Sequence, residues 1–202
     1  CQLKEKQNFS GAGSKGFPLQ SYMPATGKVK IAIIPVDFQS APGQFDPGKA
    51  FEDDLLEIPR WGEFFSRGKL KYEAKLASPS WLRAPKDADW YVCLQCQKGA
   101  KTEKQSQAVA LQELITLADS QFDFSNTNFV YFVFPEEAEA KFGSSMYGRN
   151  MPISTNEGTQ TVSIYGEMGG SVVKTDRTKI WDHLIHEILH YQGFIGHGPI
   201  NG

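Results

Sequence analysis

The residues best suited to chemistry lie in one short stretch, HEILHYQGFIGHG, at positions 186–198. It opens with the pattern His-Glu-x-x-His, formed by His186, Glu187 and His190. On a helix, the two histidines are one turn apart, so both imidazoles can reach one metal ion. Glu187 is then placed to take a proton from a metal-bound water without binding the metal. The spacing therefore indicates a Zn2+ cofactor and hydrolytic chemistry.

A catalytic zinc site needs a third protein ligand, which must come from outside this pair. The chain has four histidines, all at or after position 183. Gly193 is a natural left-handed end for the motif helix, after which the chain can turn back. His197, between two glycines, is therefore the expected third ligand, and a ligand beyond the end of this chain is the alternative. His183 is interpreted as a surface or supporting group and left out of the site.

The bulk properties of the chain are those of an ordinary globular domain. It has 202 residues, a formal net charge of -2 and 40% hydrophobic residues. This charge does not favour a nucleic-acid or membrane-surface partner, and no apolar run is long enough to cross a bilayer. The length allows one domain with a sizeable core. We expect a lead-in without regular structure at residues 1–28 and one domain at residues 29–202.

Hydrophobic periodicity predicts strands and helices in mixed order. Strands are expected at 28–38, 69–77, 90–94, 128–135 and 161–168. Helices are expected at 50–65, 104–119 and 176–192, with Pro59 breaking or kinking the first. Residues 136–160, rich in glycine and serine, are expected to form a long irregular loop. The fold class is therefore α/β of the α+β type, a mixed twisted sheet with a backing helix and an active-site helix.

The cysteines and the acidic residues carry weaker signals. Cys93 and Cys96 form a lone CxxC, which indicates a local disulfide or two structural thiols. A chain that starts at Cys1 is compatible with a mature bacterial lipoprotein acylated there, and equally with a fragment boundary. The acidic run at 52–54 is interpreted as a solvated helix face and not as a calcium site.

At the motif, the sequence resembles the metzincin zinc peptidases, whose pattern is HExxHxxGxxH followed by a Met-turn. His186, Glu187, His190 and Gly193 match it position by position, and His197 follows after a one-residue insertion. Three further segments resemble the catalytic domain of the immune-inhibitor-A type of secreted bacterial metallopeptidase. They are IAIIPVDF, FFSRGKLKYEAKLASPSWLRAP and ALQELITLADSQFDFSNTNFVYFVFP.

The resemblance implies a zincin-like fold and a zinc-dependent endopeptidase that is exported from a bacterial cell. It implies zinc ligation by His186 and His190, with Glu187 as general base and acid. The strand at 161–168 would be the edge strand that pairs with an extended protein or peptide substrate. Because no Met-turn follows His197, we expect the chain to be the N-terminal lobe of a longer protein.

Two other functions remain open at this point. Peptide deformylases also carry His-Glu-x-x-His, with an upstream cysteine as third ligand, and Cys93 or Cys96 would take that part here. Alternatively, the domain is a non-catalytic binding module or pseudo-peptidase with a structural zinc. The motif helix alone does not distinguish these from an active peptidase.

Overall fold

A sheet of six strands forms the centre of the structure, a computed structural model that describes residues 21–92, 103–138, 144–168 and 179–193. The strands are β1 (Gly27–Asp37), β2 (Leu70–Leu76), β3 (Leu82–Arg83), β4 (Thr127–Val133), β5 (Ser144–Thr155) and β6 (Gly158–Met168). Their order is β2-β1-β4-β6-β5, and β3 pairs with the end of β1. Only β5 is antiparallel to its neighbour. The fold is therefore mixed α/β with a mostly parallel sheet.

The middle of the sheet is apolar on both faces, as expected for parallel strands covered by helices on both sides. In β1, burial is continuous from Ile31 to Asp37, and in β4 it is continuous from Phe129 to Val133. These two strands pair with each other in parallel. The sequence predicted both of them from their unbroken apolar runs, and that prediction is confirmed.

Within the described ranges, five helices surround the sheet: α1 (Pro47–Ala50), α2 (Glu52–Ser66), α3 (Ala88–Val92), α4 (Glu103–Ala118) and α5 (Trp181–Tyr191). Helix α4 packs on one face, where Leu111, Leu114 and Ile115 are buried. Helices α2 and α5 pack on the other face, through residues that include Ile58 and Leu184. The motif helix therefore lies on the opposite side of the sheet from the backing helix. In the described ranges, no helix combines the length and the apolar character needed to cross a membrane.

Two local predictions are wrong, and of the break or kink expected at Pro59 the break is wrong. Residues 144–155 of the expected loop form β5. Their composition resembles that of a loop, but pairing with β6 supplies partners for the backbone N–H and C=O groups. A strand was expected at 90–94, but residues 90–92, the described part of that segment, are the last residues of helix α3. Pro59 does not end helix α2, which continues to Ser66. Proline has no backbone N–H, so the helix lacks one hydrogen bond at Pro59, and packing of α2 on β2 offsets this loss. The contact is close, because a Cβ at Gly62 would lie 2.6 Å from the ring of Tyr72.

The last part of the expected lead-in is packed against the domain. Met23 is buried, and the backbone N–H of Tyr22 donates to the carbonyl of Tyr191 at the end of α5. Residues 21–26 belong to neither a helix nor a strand, and Gly27 and Lys28 begin β1, whereas residues 1–20 lie outside the described ranges.

Candidate metal centre

Helix α5 separates an apolar side from a side that carries imidazoles. Leu184, Ile185 and Ile188 are buried against the sheet, as the helical spacing predicted. His186 and His190 lie on the other side, and the side chain of His186 is 50% exposed. The same periodicity that anchors the helix thus leaves His186 exposed and His190 half-buried on the side away from the sheet.

The two motif histidines already face each other. Their Nε2 atoms are 3.0 Å apart, with the rings nearly perpendicular. Two imidazole nitrogens bound to one tetrahedral zinc, each at about 2.0–2.1 Å, are separated by about 3.3 Å. The observed separation is within a few tenths of an ångström of that value. The donor set fits zinc, since neutral imidazole is one of its preferred ligands.

Glu187 is the buried member of this group. Only 7% of the residue is exposed, and Oε1 lies 4.0 Å from Nε2 of His186. His186, Glu187 and His190 each bring one possible ligand atom into a cluster with no separation above 4.8 Å. A carboxylate at this distance can reach a water bound beside the histidines. Its burial keeps it at one position next to them.

The first turn of α5 is held by a carboxylate from α2. Oδ1 of Asp54 accepts the backbone N–H groups of Ile180 at 2.8 Å and Trp181 at 2.7 Å. These donors begin the helix and have no intrahelical acceptor, so Asp54 acts as a remote N-cap. Asp54 is 1% exposed, so the interpretation of residues 52–54 as a solvated face is wrong for this residue. Burial raises its pKa, although the two N–H donors oppose that effect.

Polar contacts also hold the last turn of α5. The hydroxyl of Tyr191 donates to the carbonyl of Ile164 on β6, at 2.7 Å. Burial raises the pKa of Tyr191, and the charge of Glu187 raises it further, so the phenol stays neutral. Gln192 accepts from Tyr72 on β2 at 2.9 Å. Gly193 follows with φ of 77°, the left-handed end that the sequence predicted. The motif helix is therefore fixed at both ends.

His183, which the sequence analysis left out, lies inside the site. Its Nδ1 is 2.7 Å from the hydroxyl of Tyr131, and its Nε2 is 3.6 Å from Oε1 of Glu187. The ring of Tyr165 is in contact with it, with centroids 5.6 Å apart. The sequence did contain a signal, because His183 precedes Glu187 by four residues and so faces it across one turn. The two tyrosines could be found only from the order of the strands.

A row of aromatic residues leads from this site to the side of the sheet. Tyr131 on β4, Tyr165 on β6 and Tyr147 on β5 occupy successive positions in register. Burial falls along the row, from 2% exposed at Tyr131 to 50% exposed at Tyr147. Strand β5 has a paired neighbour on one side only within the described ranges. The expectation that 161–168 is the edge is wrong, since β6 lies between β4 and β5.

Several residues named from the sequence lie outside the described ranges. They include the expected third ligand His197 and the three cysteines Cys1, Cys93 and Cys96. The structure therefore brings together His186, Glu187 and His190, and the third ligand stays a prediction. No model of a known protein family matches the chain, and no curated protein matches it significantly.

Proposed function

We propose that this chain is the metal-binding part of a zinc-dependent endopeptidase. One observation carries the proposal: the Nε2 atoms of His186 and His190 are 3.0 Å apart, and the buried Glu187 carboxylate lies beside them. Two neutral imidazoles and one adjacent carboxylate are the groups that hydrolytic zinc chemistry uses. An isolated polar helix face would not require a buried glutamate next to one exposed and one half-buried histidine.

The roles of the residues follow from their positions. Zinc held by His186 and His190 would polarise the scissile carbonyl and lower the pKa of the attacking water. Glu187 would accept the proton of that water and later pass it to the nitrogen of the leaving amine. His197 is our candidate for the third ligand, because the left-handed Gly193 turns the chain out of the helix shortly before it.

An extended peptide would bind along β5. Strand β5 is an edge strand in the described sheet, and such an edge presents unpaired backbone groups to a partner strand. The tyrosine row connects this edge to the histidines, so a peptide paired there would run past the metal site. We therefore place the peptide on β5 and not on 161–168, because the second side of β5 has no paired strand in the part of the chain that the structure describes.

The arrangement also supports a zincin-like fold. The mixed sheet has α4 on one face as a backing helix and α5 on the other as an active-site helix. Together with the His-Glu-x-x-His pattern, this agrees with the resemblance to metzincins and to secreted bacterial peptidases of the immune-inhibitor-A type. We infer export from that resemblance alone.

The test compares Glu187→Gln with the parent chain, both loaded with zinc and given an unfolded protein substrate. The variant keeps the shape of the side chain and loses the base, so we expect peptide hydrolysis to fall by about 100-fold or more. Its zinc content should stay at the parental value. Glu63→Gln, an exposed glutamate on α2, is the matched control and should hydrolyse as the parent does.

Three other outcomes would contradict the proposal in different ways. Hydrolysis that survives Glu187→Gln would remove Glu187 from its role as base. A parent chain that holds zinc and cleaves no peptide would favour the binding module. Loss of zinc in a chain with Cys93→Ser and Cys96→Ser would favour the deformylase-like alternative, because those thiols would then supply the third ligand.

A further inference from the structure

Three side chains from two elements form a connected polar chain beside the motif histidines. The hydroxyl of Tyr131, on β4, is 2.7 Å from Nδ1 of His183. On the other side of the same ring, Nε2 of His183 is 3.6 Å from Oε1 of Glu187. The imidazole thus lies between a buried phenol and the buried carboxylate that is the candidate base.

The groups at the two ends decide where the imidazole proton lies. Glu187 as a carboxylate can only accept, so the nitrogen that faces it is stabilised as N–H. In a neutral ring the other nitrogen, Nδ1, then carries a lone pair and accepts from the hydroxyl of Tyr131. The order is therefore Tyr131 O–H to Nδ1, and Nε2–H toward Glu187.

We propose that His183 is a positioning residue for Glu187 and that Tyr131 fixes the tautomer and orientation of its ring. This inference rests on the proposed role of Glu187 as general base. The separation of 3.6 Å is longer than a hydrogen bond, and a small rotation of the carboxylate closes it. Such contacts are often long before substrate binds and tighten in the complex.

The surroundings of His183 suit this role. The ring of Tyr165 packs against one side of it at 5.6 Å, and Tyr131 holds its far nitrogen, so few rotamers are open to the imidazole. Positioning of this kind restricts the base to one orientation, which a buried helix residue alone does not guarantee.

The first test needs neither metal nor substrate. Nitrogen NMR of histidine-labelled chain, freed of metal, reports the tautomer of each ring, and His183→Gln identifies the signal, since there are only four histidines. We expect His183 to carry its proton on Nε2, and Tyr131→Phe to shift part of the population to Nδ1–H. A parent chain with the proton on Nδ1 would overturn the proposed order.

The second test measures the consequence for turnover in the zinc-loaded chain. For Tyr131→Phe and for His183→Gln we expect kcat to fall by about 10-fold to 100-fold, as is usual for supporting partners of an active-site group. KM and zinc affinity should stay near the parental values. Tyr91→Phe removes a hydroxyl that donates to Glu113 on the other face of the sheet, and it should leave kcat unchanged. An unchanged kcat in both site variants would overturn the positioning role.

The two tests fail separately from the proposed function. A chain without peptidase activity that still shows Nε2–H at His183 would contradict the endopeptidase proposal and leave the hydrogen-bond order intact. An active chain with Nδ1–H at His183 would contradict the hydrogen-bond order and leave the endopeptidase proposal intact. Because Tyr131→Phe removes a single oxygen, it also gives an answer if His183→Gln fails to fold.

Discussion

The two faces of the sheet differ in chemistry although the same strands build both. Toward α4, strands β4 and β6 direct the hydrocarbon side chains Val130, Phe132, Val162 and Ile164. Toward α5, the same strands direct Phe129, Tyr131, Ser163 and Tyr165. A strand alternates its side chains, so one run of sequence serves both purposes at once. The hydroxyl groups lie on the face that carries the candidate site.

This difference indicates which face supplies stability and which supplies the site. The β4 and β6 residues on the α4 face are hydrocarbon side chains, so they contribute through burial and close packing. The α5 face contains groups that must each find a partner: Tyr131 contacts His183, and Asp54 accepts from the start of the motif helix. Such groups stabilise less for their size, because burial of a polar group is costly and its bond only offsets that cost.

The largest effect is expected from a truncation on the α4 face. Leu114→Ala removes a fully buried side chain and leaves a cavity, which should lower the free energy of unfolding by about 2–5 kcal/mol. The zinc affinity of the folded variant should be that of the parent, because the sheet separates α4 from the histidines. Denaturant unfolding and zinc titration measure the two quantities. A large loss of zinc affinity in Leu114→Ala would contradict the separation of the stabilising face from the face that carries the site.

A smaller effect is expected from Asp54→Ala on the site face. The variant leaves the N–H groups of Ile180 and Trp181 without their cap, which should lower the free energy of unfolding by about 0.5–2 kcal/mol. Zinc affinity should fall several-fold as the first turn of α5 loosens. Asp53→Ala, the exposed neighbour, is the control. If the two variants have the same free energy of unfolding and the same zinc affinity, the role of Asp54 as the cap of α5 is contradicted.

The smallest effect is a pH dependence that belongs to the same carboxyl group. Burial raises the pKa of Asp54 above 3.8, so the folded chain holds its proton more tightly than the unfolded chain does. Tighter proton binding by Asp54 in the folded chain therefore adds to the free energy of unfolding. This contribution is complete below pH 3.8 and is lost as the pH rises through the pKa of Asp54 in the folded chain. Asp54→Asn does not titrate, so parental stability should decline relative to the variant over that range. Unfolding curves at several pH values measure the free energy of unfolding of both chains. A parental value that rises with pH relative to that of the variant would contradict the assignment.

The sequence was sufficient for elements whose signal is local. The apolar runs of β1 and β4, the periodicity of α4 and α5, and the left-handed stop at Gly193 were all predicted and are confirmed. The pairing of His186 with His190 followed from helical spacing alone. These features depend on residues within one or two turns of each other, so no knowledge of the fold was needed.

Features that depend on distant partners were missed. Strand β5 contains three serines, one glycine, one asparagine and one proline, and only its pairing with β6 makes it a strand. Asp54 was grouped with its exposed neighbours, although it shares a helix side with the buried Phe51 and Ile58. Tyr131 is distant from His183 in sequence and meets it only because α5 packs over β4. Composition describes a segment and not its neighbours in space.

The most direct test of the account is a zinc titration of the metal-free chain beside its histidine variants. We predict about one zinc per chain, with affinity reduced by at least about 100-fold in His186→Ala, His190→Ala and His197→Ala. His183→Gln, a histidine on the same helix that is not a ligand, should bind zinc as the parent does. A parent chain that binds no zinc, or a His190→Ala variant that binds it as tightly as the parent, would contradict the metal centre.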